Sequence, residues 1–237
     1  MVVAPREFLG RLIGARAPAS TRIGLDACLA GLASRGYTPS CVVDIGAAAG
    51  HWTKAALRVW PNATYFLFEP LRERQTALDE IHRAHPNVDY ILAGAAERPG
   101  QFSLGVYPDR LDESSFCYPG TENREVEAVT IDDLMRLGRF PQPQFMKADV
   151  QGFEIEVLKG AVAAMRSCDL ILLELQFFRY AAGMPLLHES IQWMAERNFI
   201  PYEIVGVLRR PYDGAMGECD MLFARKDHWL AAKPTWA

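Results

Sequence analysis

Short apolar runs alternate with amphipathic stretches along most of the chain. Cys41–Ile45, Thr64–Phe68 and Val88–Leu92 are runs of strand length. Between them, Trp52–Val59 and Leu71–Ala84 place apolar residues at helical spacing and stop before Pro61 and Pro86. Upstream, Thr21 to Gly36 carries Leu25, Cys28, Leu29 and Leu32 on one helical face. The strand–helix rhythm implies parallel strands joined by right-handed crossovers. It breaks at Gln101–Val106 and Glu125–Ile131, two strand-like runs separated by a Pro-, Gly- and acid-rich stretch at about 107–124. A connection of that length inside a domain suits a lid or substrate loop. Regularity returns with strands Phe145–Val150 and Leu170–Leu175 and helices Phe153–Met165 and His188–Arg197. Tyr202–Leu208 and Met221–Ala224, around Pro211-Tyr212-Asp213-Gly214, predict an antiparallel closing pair. The fold expected is α/β: a Rossmann-like sheet of seven strands, mostly parallel with an antiparallel terminal strand, and helices on both faces. Residues 1–36 are expected as an N-terminal helical segment and 37–237 as one domain.

Ligands of open parallel sheets bind outside the carboxyl ends of the strands. That rule singles out Asp44, Glu69, Asp149 and Glu174, which end or nearly end predicted strands. Asp44-x-Gly46-x-x-x-Gly50 forms a glycine-bearing strand-to-helix turn. Glu69, before Pro70, closes the next strand, where a carboxylate can grip both hydroxyls of a ribose. The pair implies a nucleoside-containing cofactor. The spacing is not the G-x-G-x-x-G of a dinucleotide fold, which disfavours a nicotinamide-dependent oxidoreductase. Lys147 and Asp149 point to one face of their strand, where a lysine among apolar residues needs a carboxylate partner, Asp149 or Glu174. Gly152 permits a sharp exit and Glu154 starts the next helix.

The motifs Val43-Asp44-Ile45-Gly46-Ala47…Gly50, Phe68-Glu69-Pro70, Val129-Thr130-Ile131-Asp132-Asp133-Leu134, Lys147-Ala148-Asp149-Val150-Gln151-Gly152-Phe153-Glu154, Val157-Leu158-Lys159-Gly160-Ala161 and Cys219-Asp220-Met221-Leu222-Phe223 resemble those of the FkbM family of S-adenosylmethionine-dependent methyltransferases, mostly O-methyltransferases. The family often has Asn where Ala48 or Ala49 stands and Glu where Gln151 stands. The resemblance implies S-adenosylmethionine as cofactor, held by Asp44, Gly46, Ala47, Gly50, His51, Glu69, Pro70 and Ala95. It implies methyl transfer to a hydroxyl of a sugar, glycolipid or polyketide-type product. N-methylation of a peptide or small amine is the alternative, and a non-catalytic cofactor-binding protein a further one. Asp149 is the expected general base, Lys147 tunes its charge, and His188 competes for the role. Ser114, Ser115, Glu154 and Glu174 are the expected substrate contacts. A divalent metal on carboxylates such as Asp149 and Glu174 is not expected.

Composition narrows the picture further. The 237 residues suit one domain with a sizeable core, at 50% hydrophobic and 23% charged. A net charge of −4 gives no reason to expect nucleic acid. Five scattered cysteines, Cys28, Cys41, Cys117, Cys168 and Cys219, contain no Cys-x-x-Cys and point to a reducing, cytoplasmic setting. No apolar run reaches bilayer length, so no integral membrane contact is expected. Phe8–Ile13 reads as a short amphipathic helix packed on the domain or on a second subunit of a homodimer.

Overall fold

A computed structural model of the chain describes residues 24–233. The expected Phe8–Ile13 helix, and residues 1–23 of the expected N-terminal segment, lie outside the described residues. The elements run α1 (Leu25–Ser34), β1 (Cys41–Ile45), α2 (His51–Val59), β2 (Thr64–Phe68), α3 (Gln75–Ala84), β3 (Val88–Ile91), β4 (Gly94–Ala95), β5 (Gly100–Val106) and β6 (Glu122–Val129). They continue with α4 (Ile131–Arg136), β7 (Phe145–Ala148), α5 (Glu154–Lys159), α6 (Val162–Met165), β8 (Leu170–Gln176), α7 (Leu187–Ala195), β9 (Phe199–Arg209) and β10 (Met216–Arg225).

Seven strands form one sheet in the order β3-β2-β1-β7-β8-β10-β9. β1 pairs in parallel with β2 and β7, and β7 with β8, while β10 runs antiparallel to both neighbours. This is the expected Rossmann-like sheet of seven strands, mostly parallel with an antiparallel terminal strand. The central strands are apolar without alternation because both faces are covered; every residue of β1, β7 and β8 is buried. One face packs Phe66, Phe68, Phe140, Met146, Leu158 and Phe223 under α4–α7. The other packs Tyr37, Trp52, Trp60, Tyr65, Phe145 and Leu172 under α1–α3. Cys41, Cys168 and Cys219 sit in the first core as small apolar residues. Among the described residues, no helix is long and apolar enough to cross a membrane.

Three local features depart from the sequence expectation. β4, β6 and β5 make a separate three-stranded sheet, in which β5 and β6 are antiparallel and carry the 107–121 connection. Ile131–Arg136, of which only Ile131 was expected, as the end of a strand, is a helix capped by Thr130, whose hydroxyl oxygen accepts the Asp133 amide at 3.0 Å. The expected single helix Phe153–Met165 divides into α5 and α6 at Gly160. A Cβ there would lie 2.0 Å from the Ala96 carbonyl oxygen, so the backbone passes too close for any side chain. The Asp132 carboxylate then accepts the amides of Ala163 and Ala164, at 2.8 and 2.9 Å, and caps α6.

Candidate active site

The carboxyl ends of β1, β2, β7 and β8 form one rim, with two adjoining cavities above it. At the end of β1 the chain must turn sharply over β7. Gly46 takes φ 72, and a Cβ on it would lie 2.0 Å from the Asp149 carbonyl oxygen. The amides of Gly46 and Ala47 both donate to the Phe68 carbonyl at 3.0 Å, which ties the turn to β2. Ala48 takes a left-handed φ of 49, and its amide donates to Glu69 Oε2 at 2.8 Å. Glu69 Oε1 accepts the Leu71 amide at 2.9 Å. Burial raises the Glu69 pKa against these two hydrogen bonds. A buried carboxylate held by two amides is preorganised and keeps lone pairs free for a ligand.

The first cavity holds about 540 Å³ of space, counting that open to solvent. Gly46, Glu69, Pro70, Ala95, Ser114 and Ser115 are among its walls. The Ser114 hydroxyl is buried there without a hydrogen-bond partner. Ser115 is fully engaged: its hydroxyl donates to the Gln151 carbonyl at 2.8 Å and accepts the Cys117 amide at 2.9 Å. The second cavity, about 1000 Å³ on the same measure, adds Ala47, His51, Trp52, Lys147, Glu174 and Asp220. Gly46, Ala48, Asp112 and Asp149 border both.

Several expected site residues do other work. Asp44 lies below the rim, wholly buried, and lines neither cavity. Its Oδ2 accepts the Thr53 hydroxyl at 2.6 Å and its Oδ1 is 3.1 Å from Lys147 Nζ. Lys147 also donates to the Gly46 carbonyl at 2.8 Å and stands 3.6 Å from Asp149. Burial alone would lower the Lys147 pKa, but Asp44 and Asp149 outweigh it and hold the ammonium charged. The partner foreseen from sequence was Asp149 or Glu174; the nearest is Asp44, its register neighbour across β1 and β7. Gly50 ends the turn at the start of α2, packed against Ile81 rather than open to a cavity. Glu154 is buried, and its Oε1 accepts the amides of Val150 and Gly152 at 2.9 and 3.2 Å. It braces the turn after β7 instead of facing a substrate, and burial pushes its pKa up to about 7. His188 is exposed on α7 and lines neither cavity, so the structure does not bring it to the rim.

Sequence reasoning did not single out Thr53 or Asp220 as site residues, and met Gln151 only as a departure from the family pattern. Thr53 orients Asp44 from the first turn of α2. Asp220 faces the second cavity, and burial pushes its pKa up to about 6. Its signal was the polar pair Glu218 and Asp220 alternating with buried Cys219 and Met221. Among the described residues, no group of three or more His, Cys, Asp or Glu side chains could hold a metal ion.

Residues 44–201 match the Methyltransferase FkbM domain. The chain belongs to the FkbM methyltransferase family. Within reach of this FkbM domain is a curated relative, the hexuronic acid methyltransferase AglP of Haloferax volcanii, 30% identical over 116 residues. That alignment covers 48% of each protein, so the chain spans about half the length of the curated relative it matches. Among solved structures, magnesium protoporphyrin IX methyltransferase of Synechocystis PCC 6803, with bound SAM, aligns at a TM-score of 0.50. It shares 11% identity over 85% of this chain and 77% of the other, and the likeness shows the fold alone.

Proposed function

We propose that this FkbM protein is an S-adenosylmethionine-dependent O-methyltransferase acting on a sugar hydroxyl. The observation that carries the reading is Glu69, fixed by the Ala48 and Leu71 amides at the wall of the first cavity beside Gly46. The residues present fit the cofactor. Glu69 would take the ribose hydroxyls, and the unpartnered Ser114 hydroxyl offers a further hydrogen bond in the same cavity. When bound, the cofactor supplies an electrophilic methyl group on a sulfonium.

The protein supplies orientation and a proton acceptor. An alcohol is a poor nucleophile at neutral pH, so its proton must leave as oxygen attacks. Asp149 borders both cavities, which supports it as the group that takes that proton. Lys147, 3.6 Å away, stabilises the Asp149 carboxylate.

The Haloferax relative is named for a hexuronic acid, which supports a sugar acceptor. The second cavity, the acceptor side in this reading, is walled by the acids Asp112, Asp149 and Asp220, while Lys147 is already paired. Such a wall repels a carboxylate, so a neutral sugar is favoured over a uronate. Incubation with S-adenosylmethionine and a panel of neutral, amino and uronic glycosides, read by mass spectrometry, tests this. Methylation of neutral glycosides supports it; transfer confined to uronates or to amine nitrogens contradicts it.

A further inference from the structure

Five side chains run from the shared wall of the two cavities across β8 to β10 as an alternating row of carboxylates and amides. Gln151 Nε2 donates to Asp149 Oδ1 at 3.3 Å and to Glu174 Oε2 at 3.0 Å. Gln176 Nε2 donates to the same Glu174 Oε2 at 3.2 Å and to Glu218 Oε2 at 3.3 Å. An amide nitrogen has two hydrogens, so each glutamine can serve two carboxylates at once. This orientation of the Gln151 amide presents its nitrogen, not its oxygen, to the Asp149 and Glu174 carboxyls. Glu174 is 7% exposed and Gln176 3%, so water does little to separate these charges.

Gln151 is also backbone-constrained. Its φ is 56, a left-handed conformation that is strained for a non-glycine residue. Its carbonyl accepts the Ser115 hydroxyl at 2.8 Å, from the connection between β5 and β6. Three hydrogen bonds thus hold one strained residue between the loop and the acids.

We infer that Gln151 is a positioning residue: its amide aligns Asp149 and Glu174 as one unit facing the acceptor-side cavity, and its carbonyl ties that unit to the Ser115 loop. The inference deepens the proposed methyl transfer, since Asp149 is the group placed to take the acceptor proton. This chain departs here from the glutamate the family often carries, and in this setting a glutamate could not make the same bridge. It has no N–H to offer and would add another charge beside Asp149, Glu174, Glu218, Asp220 and Glu154. The remaining charges and titratable groups facing this unit are Lys147 with Asp44 from β7 and β1, His51 from α2, and Asp112, Glu113 and Tyr118 from the loop. Burial and the acids around it already hold the Glu174 pKa well above the ordinary carboxylate range.

The test follows the Glu174 carboxyl by carbon-13 NMR through a pH titration of the full chain, with Glu174→Gln assigning the signal. Gln151→Glu should raise the Glu174 midpoint by about one pH unit or more, because a like charge replaces a donor. Gln151→Gly, which adopts the left-handed backbone freely, should shift it in the same direction, and Ser115→Ala by a smaller amount. Purely structural packing would change melting temperature and leave the midpoint alone. The inference is overturned if Gln151→Glu and Gln151→Gly fold and keep the wild-type midpoint, or if neither folds. Where only one of them folds, its midpoint decides. A separate titration of the wild type with S-adenosylmethionine reports on the cofactor reading, so failure of either idea is distinguishable.

Discussion

Lys147 stands beside Asp44 in the register of β1 and β7, its ammonium 3.1 Å from a carboxylate with no exposed surface. The pair sits under the Gly46 turn, to whose carbonyl Lys147 also donates. Removing one partner strands the other charge in the core. Lys147→Met is therefore expected to cost about 3–5 kcal/mol. Adding Asp44→Asn, which keeps an acceptor for Thr53, should recover much of that loss. Urea unfolding of the two variants checks it. Equal stability of Lys147→Met and wild type would remove the ion pair from the account.

Acid burial predicts a pH slope. Glu154 and Asp220 have folded pKa values pushed up to about 7 and about 6. Acids with raised pKa bind protons in the folded state that the unfolded state has lost. Stability should therefore fall as pH rises from about 4 to 7, the window between unfolded and folded values. For Glu154 the loss is on the order of 2–3 kcal/mol. Thermal melts should show a lower midpoint at neutral than at mildly acidic pH, with a shallower slope in Glu154→Gln. A flat profile in wild type would contradict it.

Two left-handed glycines separate backbone strain from close approach. A Cβ at Gly138 (φ 74) meets nothing within 4 Å, whereas one at Gly46 meets the Asp149 carbonyl at 2.0 Å. Gly138→Ala should cost about 1 kcal/mol from conformation alone. Gly46→Ala should cost clearly more and abolish cofactor binding. Denaturation midpoints of both variants, with a binding titration of each, decide the matter.

Asp149→Asn keeps the shape of the shared wall and removes the proton acceptor. Loss of a general base typically lowers turnover by about 10²–10⁴-fold. With an acceptor from the glycoside screen, the variant should bind cofactor and transfer methyl slowly. Full turnover would reassign the base.

The rim was legible in the sequence because strand ends are marked by apolar runs that stop at Asp44, Glu69 and Asp149, and parallel topology brings strand ends together. What those acids touch was not. Asp44 faces Lys147 through strand register, a pairing that adjacent residues do not encode. Burial of both partners turns a cofactor candidate into the core of the rim. The break at Gly160 depends on the Ala96 backbone, 64 positions away in sequence by subtraction of their numbers, so local periodicity read one helix. His188 carries suitable chemistry but lies on the exposed side of α7, a choice made by packing rather than by residue type. α4 has six residues, too few for a hydrophobic period, although Thr130 followed by Asp133 was a usable cap signal.

The most direct test of the central claim is calorimetric titration of the full chain with S-adenosylmethionine, for wild type and Glu69→Ala in parallel. Saturable binding by wild type, weakened about 10- to 100-fold in a folded Glu69→Ala, is the predicted result, matching the loss of charge-assisted hydrogen bonds of about 1.5–3 kcal/mol. No binding by the folded wild type, or equal binding by the two proteins, would contradict it.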